Sequence, residues 1–414
     1  MSDTPTIADV FAPAPAVRAG LRAAGYGAIA MVVLFLGMLW LPIAASILRL
    51  HVLGAPDEKR TLATAPGWPH TWTNLLAFPG ALGRLADDRF GFRAELVWLN
   101  GRLRYRLFGE LDSDQVLFGR HGRLFLTSHV KGQPFSLIDE ACGVRTGPAQ
   151  IAQAAARLAA VLAEAQRLAR RSAFIAIPTA AVLYPDDLQP WLAARCRSFR
   201  PIVPAIRDVL AARWPALSGR LLYPIEAMRA AMAVGDPIPL TNFHWSGVAA
   251  KRAVETVAEG PLGMTRRREI ALGTTTEGSD LAGFTPGLRL RNRVEAPVYR
   301  GSGVRACSGV ACAAELAPFA AGLNEVSRFR WESGDGPTLL LISDSFGVRA
   351  AEYFGEYFAD VIHLNIAYDR LDAEHLRRLR GVLFDKFRPD TLLFLFHDGG
   401  VRGGTGAVGA GLLQ

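Results

Sequence analysis

Between Arg22 and Arg49 the chain carries no charged side chain. Residues 26 to 48, YGAIAMVVLFLGMLWLPIAASIL, form an apolar run of the length a hydrocarbon core demands of a helix, roughly 20 residues. A core helix of this length in a soluble protein normally keeps one polar face, and this run has none. The rival is a cleaved signal peptide, which has a shorter apolar centre and an early basic flank. Here the preceding residues include Asp3, Asp9 and a Pro/Ala stretch. The pattern therefore predicts an uncleaved single-span anchor.

Its orientation is not decided by flanking charge, because Arg18 and Arg22 precede the run while Arg49, Lys59 and Arg60 follow it. The four cysteines, Cys142, Cys196, Cys307 and Cys312, are even in number and contain no C-x-x-C pair. Cys307 and Cys312 can close a short loop disulfide, which an oxidising compartment permits; four reduced thiols are the other reading. The working arrangement is an inner-membrane, single-pass protein, with residues 1–25 in the cytoplasm and the bulk of the chain in the periplasm.

The 414 residues are half hydrophobic and one-fifth charged, which excludes a disordered chain and leaves ample material for a core. The net charge is +8, yet only Lys59, Lys131, Lys251 and Lys386 are lysines. The arginines are dispersed, with Arg266–Arg268 as the densest run, and no basic helix or aromatic-interleaved stripe occurs. No nucleic-acid partner is expected. No His/Cys/Asp/Glu cluster has the spacing of metal ligands, and neither a metal nor another cofactor is expected.

Residues 49–79, rich in Pro, Thr, Trp and Gly, read as a linker. Residues 74–107 show helical spacing of Leu, Phe and Trp, and residues 116–126 read as two short strands around Gly119 and Gly122. An Ala/Leu-rich helix over 148–171 feeds an apolar strand at 174–178. A helix over 246–259, with Ser246 as its cap, opens a second alternation. A strand at 339–342, a helix ending near Tyr357, a strand at 361–364, a helix over 372–387 and a strand at 391–396 complete it. Such alternation predicts an α/β fold with a parallel sheet flanked by helices. The core domain runs from 80 to 396, interrupted at 260–336 by an irregular insertion that reads either as a β excursion or as a long loop. Residues 397–414 form a Gly-rich tail whose G-x-G-x-x-G match follows a strand but has no βαβ unit continuing after it, as a dinucleotide site needs.

Two segments suggest chemistry. Ser345 follows the strand LLLIS and precedes a helix, the setting in which a serine hydroxyl stands at a sheet's carboxyl edge beside helix N–H groups. Ordinary helix capping explains Ser-Asp-Ser equally well. A nucleophile needs a base, and His244 lies in Leu240-Thr-Asn-Phe-His-Trp-Ser-Gly247, with Asn242 two residues earlier and Trp245 beside it. In extended chain, positions i and i+2 project to one side, so Asn242 can orient the imidazole. His397, next to Asp398, is the competing base, and His363 lies inside a strand.

Taken together, five marks resemble the AlgJ/AlgX-like alginate O-acetyltransferase family, whose domain is SGNH-hydrolase-like. They are Asp88-Arg-Phe-Gly-Phe-Arg-Ala-Glu-Leu96, the segment 116–126, the strand at 174–178 with Tyr184-Pro185, Asn242-Phe-His244-Trp245 and Ser343-Asp344-Ser345-Phe346. They occur in order between about residues 75 and 396, with the insertion unmatched. The resemblance implies Ser345 as nucleophile and His244 as general base, with backbone N–H groups near Ser345–Phe346 holding the oxyanion. It implies acetyl transfer onto an exported or cell-surface polysaccharide, with a membrane-bound O-acyltransferase partner supplying the acetyl group. The family has Asp where this chain has Asn242, and Gly where it has Ser343. Three outcomes follow for the first departure. Asn242 orients His244 through its carbonyl oxygen with weaker catalysis, another carboxylate such as Asp236 or Asp398 substitutes, or the protein is a binding or assembly subunit. A carbohydrate esterase is the alternative enzyme.

Overall fold

In the computed structural model, residues 15–48, 62–111, 113–285 and 287–413 are described. The start of the N-terminal segment (1–14) and the linker's first part (49–61), with Arg49, Lys59 and Arg60, lie outside them. The chain divides into a first unit ending at Leu103 and a second beginning at Arg104.

The first unit opens with the helix Pro15–Leu48, of which Tyr26–Ser46 is long and apolar enough to cross a membrane. Val33, Phe35, Met38 and Trp40 are all exposed along it. The helical spacing at 74–107 resolves into Trp72–Arg89 and Arg93–Leu103, continued by one π turn. Between them the chain turns at Gly91-Phe92, where Phe92 has φ 61°, and Asp88 accepts the Ala63 N–H at 2.7 Å.

Among its described residues the second unit has, with helices between and around them, eleven strands. They are β1 (Val116–Phe118), β2 (Leu124–Leu126), β3 (Arg171–Ile177), β4 (Leu221–Leu222), β5 (Ala271–Gly278), β6 (Arg291–Val298), β7 (Val304–Ser308), β8 (Leu323–Trp331), β9 (Thr338–Ser343), β10 (Asp360–Ile366) and β11 (Thr391–His397). Seven form one sheet in the order β4-β3-β11-β9-β10-β8-β7. The first five are parallel, and β8 and β7 extend the sheet antiparallel. The central strands are apolar on both faces, as a sheet covered by helices on both sides requires. Leu339, Leu341, Leu393 and Leu395 enter one core, with the helices Gly247–Glu259 and Gly347–Phe354. Leu340, Ile342, Leu392 and Phe394 enter the other, with the helix Pro148–Leu168 and its buried Leu158, Val161 and Leu162.

The irregular stretch 260–336 is the β excursion, and part of it belongs to the main sheet. β5 and β6 pair from Ala271↔Val298 to Gly278↔Arg291 as a separate ribbon. β7 and β8 then form the sheet's antiparallel edge, which no strand–helix alternation announced. The Gly-rich tail is helical: Val401–Ala407 and a following π segment put Val401, Val408 and Leu412 into the second core. Its small residues allow that fit, for Gly404 lies directly against the Phe396 ring. The cysteines pair as Cys142–Cys196 and Cys307–Cys312.

β9 leads outward to β10 on one side, whereas β3 leads to β4 on the other. β11 fills the place between. Ligands of open α/β sheets bind outside the carboxyl ends of strands where such directions diverge. Ser345 lies just past the carboxyl end of β9.

Candidate active site

The turn after β9 is fixed by Asp344, not by Ser345. Asp344 Oδ1 accepts the Phe346 N–H at 2.9 Å, its Oδ2 accepts the His397 N–H at 2.8 Å, and its own N–H reaches Leu395 O at 3.1 Å. This Asx turn clamps the segment onto β11, and the helix Gly347–Phe354 begins without a side-chain cap from Ser345. The Ser345 side chain is thereby left exposed and available. Burial pushes the Asp344 carboxyl up to about 6, against the opposing effect of its N–H donors.

His244 Nε2 lies 2.7 Å from Ser345 Oγ, and His244 Nδ1 lies 2.6 Å from Asp280 Oδ2. With the carboxylate on Nδ1–H, the lone pair of Nε2 faces the serine hydroxyl, the arrangement that lets an imidazole take a proton from it. Asp280 is itself held by the loop it serves: Oδ1 accepts the Phe243 N–H at 2.7 Å and Oδ2 the His244 N–H at 2.9 Å. Trp245 Nε1 donates to Phe346 O at 3.0 Å, tying the His244 loop to the Ser345 turn. The Phe346 ring is buried, 4.9 Å from the imidazole.

Asn242 makes no hydrogen bond to the imidazole, whose two ring nitrogens face Asp280 and Ser345, so the expected i, i+2 pairing does not form. Its buried Oδ1 accepts Asn292 Nδ2 at 2.8 Å and the Asp280 N–H at 3.2 Å. Thr241 joins the same network through Asn292 at 2.8 Å. Ser279 Oγ donates to Thr241 O. These bonds fasten the β5–β6 ribbon to residues 241–244 and deliver Asp280 to His244.

The other candidate carboxylates are engaged elsewhere. Asp236 accepts the Tyr184 hydroxyl and lies 3.3 Å from Arg123 Nη2. Asp398 accepts the Thr179 N–H at 3.1 Å and the Tyr223 hydroxyl at 3.1 Å. The competing base is displaced as well. His397 is buried among Phe243 and Phe346, and burial drives its pKa down to about 3.

His363 occupies a second serine–histidine contact, deeper in the sheet. Its Nε2 lies 2.7 Å from Ser343 Oγ and its Nδ1 2.9 Å from Ser327 Oγ. Ser343 Oγ donates to Asp344 O at 2.7 Å, so Nε2 carries the proton and Nδ1 accepts. Burial lowers the His363 pKa to about 3 and keeps the ring neutral. The hydroxyl at 343 is thus consumed in support of the turn.

The Phe346 N–H, expected among oxyanion donors, is taken by Asp344. The Ser345 N–H has no hydrogen-bond partner among the described residues and remains free to donate. The residue that the sequence did not reveal is Asp280. It stands 36 positions from His244, in a Ser-Asp pair without local signature, and only the pairing of β5 with β6 brings it to the loop.

No protein-family model matches this chain. No curated protein matches it either. Among solved structures, a DHHW family protein from Eubacterium siraeum is similar at 14% identity and a TM-score of 0.44, covering 64% of this chain and 89% of that one. The O-acetyltransferase domain of Pseudomonas putida AlgJ is similar at 17% identity and a TM-score of 0.40, covering 69% and 92%. Bacillus cereus PatB1 with a sulfonyl adduct is similar at 11% identity and a TM-score of 0.41, covering 69% and 97%.

Proposed function

We propose that this protein is a membrane-anchored O-acetyltransferase that moves acetyl groups onto hydroxyls of an exported or cell-surface polysaccharide through an acetyl-serine. The observation that carries the reading is the unbroken Asp280–His244–Ser345 chain at the carboxyl edge of β9. In the first half-reaction Ser345 Oγ attacks the donor's acetyl carbonyl while its proton passes to His244 Nε2. Asp280 steadies the imidazolium, and the Ser345 N–H donates to the developing oxyanion. The tetrahedral intermediate collapses as His244 returns the proton to the departing donor oxygen. In the second half-reaction His244 takes the proton of a sugar hydroxyl, that oxygen attacks the acetyl carbonyl, and the proton goes back to Ser345.

A membrane-bound O-acyltransferase is the donor partner in this scheme, which suits a catalytic unit following an apolar helix. The two disulfides agree with a periplasmic location, where oxidation is sustained. Asn242 favoured a non-catalytic subunit only while His244 lacked a carboxylate, and Asp280 removes that argument. An esterase would use the same first half-reaction, with water as the acceptor.

The test is intact-mass analysis of the full-length chain in detergent, incubated with an activated acetyl ester. Wild type gains one acetyl group, and Ser345→Ala gains none. Equal labelling of both would remove Ser345 from its role.

A further inference from the structure

The two flanks of Ser345 differ. On the β11 side, the rings of His397, Phe243 and Phe346 lie 5.1–5.5 Å apart and close the sheet edge with packed apolar surface. On the β10 side the edge is polar. Strand register pairs Asn365 with Ser343 on β9 and with Glu325 on β8, just as it pairs His363 with Ser327. Alternate residues of a strand share a face. The hydrogen-bonded row Ser343–His363–Ser327 identifies that face. One pleat nearer the carboxyl edge, the same face carries Asn365 and then Glu325, level with the nucleophile turn.

Glu325 is half-buried, and no hydrogen bond or ion pair engages its carboxylate among the described residues. It is near enough to His244 for their charges to interact, and to Glu352 as well. Desolvation raises its pKa from the ordinary value, and the His244 charge opposes the shift. Arg349, the cation beside Glu352, is paired with Glu277 at 2.7 Å and lies 4.0 Å from Glu352. A desolvated carboxylate without a partner is a strong acceptor for a hydroxyl and a repulsive neighbour for another carboxylate.

We propose that Glu325 is an acceptor-binding residue: it takes a hydrogen bond from a sugar hydroxyl next to the one acylated, and it selects an uncharged glycan over a polyuronate. The inference rests on the acyl-transfer reading above and narrows its substrate class. The apolar flank then receives the acetyl methyl, and the acceptor enters over β10 and β8. Glu325 takes no part in forming the acetyl-enzyme.

The experiment separates the two half-reactions. Full-length protein in detergent is loaded with p-nitrophenyl acetate, and loss of the acetyl adduct is followed against cellotetraose or its 6-carboxylate counterpart, tetraglucuronate. Cellotetraose is expected to accelerate the loss at concentrations where tetraglucuronate does not. Glu325→Gln is expected to load, and to lose acetyl to water, within about threefold of wild type, the margin that loss of a charge near His244 allows, yet to need about tenfold more cellotetraose for half-saturation and to discriminate less between the tetramers. Glu325→Asp, which keeps the charge, should retain the discrimination. Unchanged half-saturation in Glu325→Gln, equal use of both tetramers by wild type, or a loaded enzyme that neither tetramer discharges would each overturn the proposal. A Glu325→Gln variant that fails to load would overturn it too, by putting Glu325 in the donor step. Absence of any adduct on wild type would instead defeat the acyl-transfer reading itself.

Discussion

Two serine–histidine contacts of equal length, one inside the sheet and one just past the carboxyl end of β9, differ in their surroundings. Ser343 and His363 meet at 2.7 Å, as do Ser345 and His244. The inner pair is buried, its ring is neutral, and Nδ1 faces the hydroxyl of Ser327. The outer pair is reachable from solvent, and Nδ1 faces the carboxylate of Asp280. An imidazole can take a proton only if the cation it becomes is stabilised, and a serine can attack only what reaches it. Distance alone therefore does not distinguish a supporting contact from a catalytic one. The carboxylate and the access do.

Ser345→Ala breaks the outer pair and should abolish acetyl-ester turnover, a loss of about 10⁴-fold or more in kcat. Ser343→Ala breaks only the inner pair. Its ester turnover per folded molecule should stay within about threefold of wild type, whereas the unpartnered His363 N–H costs about 1–3 kcal/mol of stability, read as a lower Tm. If Ser343→Ala lost turnover as Ser345→Ala does, the contrast between the pairs would fail.

Asn242→Ala removes the acceptor of the Asp280 N–H and of Asn292, and should slow acylation about tenfold with the fold intact. Asn242→Asp keeps an acceptor at that place and puts a second carboxylate near Asp280, so no gain in rate is expected. A large gain would return the orienting role to position 242.

The smallest effect concerns pH. The folded-state pKa of His363, near 3, lies below its ordinary value of 6.5, so its contribution to stability is present above pH 6.5 and is lost as pH falls toward 3. The loss approaches about 1.4 kcal/mol per pH unit within that window. His363→Gln cannot titrate, and its Tm should fall less than that of wild type between pH 7 and pH 5. Parallel profiles would show that His363 is not held neutral in the folded state.

Much of the parallel half of the fold was legible from residue patterns. The strands at 171–177, 338–343, 360–366 and 391–397 are apolar runs bounded by breakers, and helices with clear periodicity separate them. Ser345 and His244 were legible for the same reason, since each sits where a buried element ends beside a polar turn. The antiparallel edge was not, because β7 and β8 mix arginines with apolar residues and give no clean alternation. Asp280 was hidden by distance. A long-range contact set by ribbon register leaves no local trace, and the motif position beside His244 held an Asn that drew attention to itself. That Asn proves to be a strut for the ribbon, which follows from its hydrogen bonds and not from its spacing to His244.

Single-turnover acylation of the full-length protein by an activated acetyl ester tests the role of Asp280 most directly. Asp280→Asn should fold normally and acylate about 10³–10⁴-fold more slowly than wild type, because an amide at that place no longer compensates the imidazolium. Acylation of Asp280→Asn at the wild-type rate would contradict the Asp280–His244–Ser345 assignment.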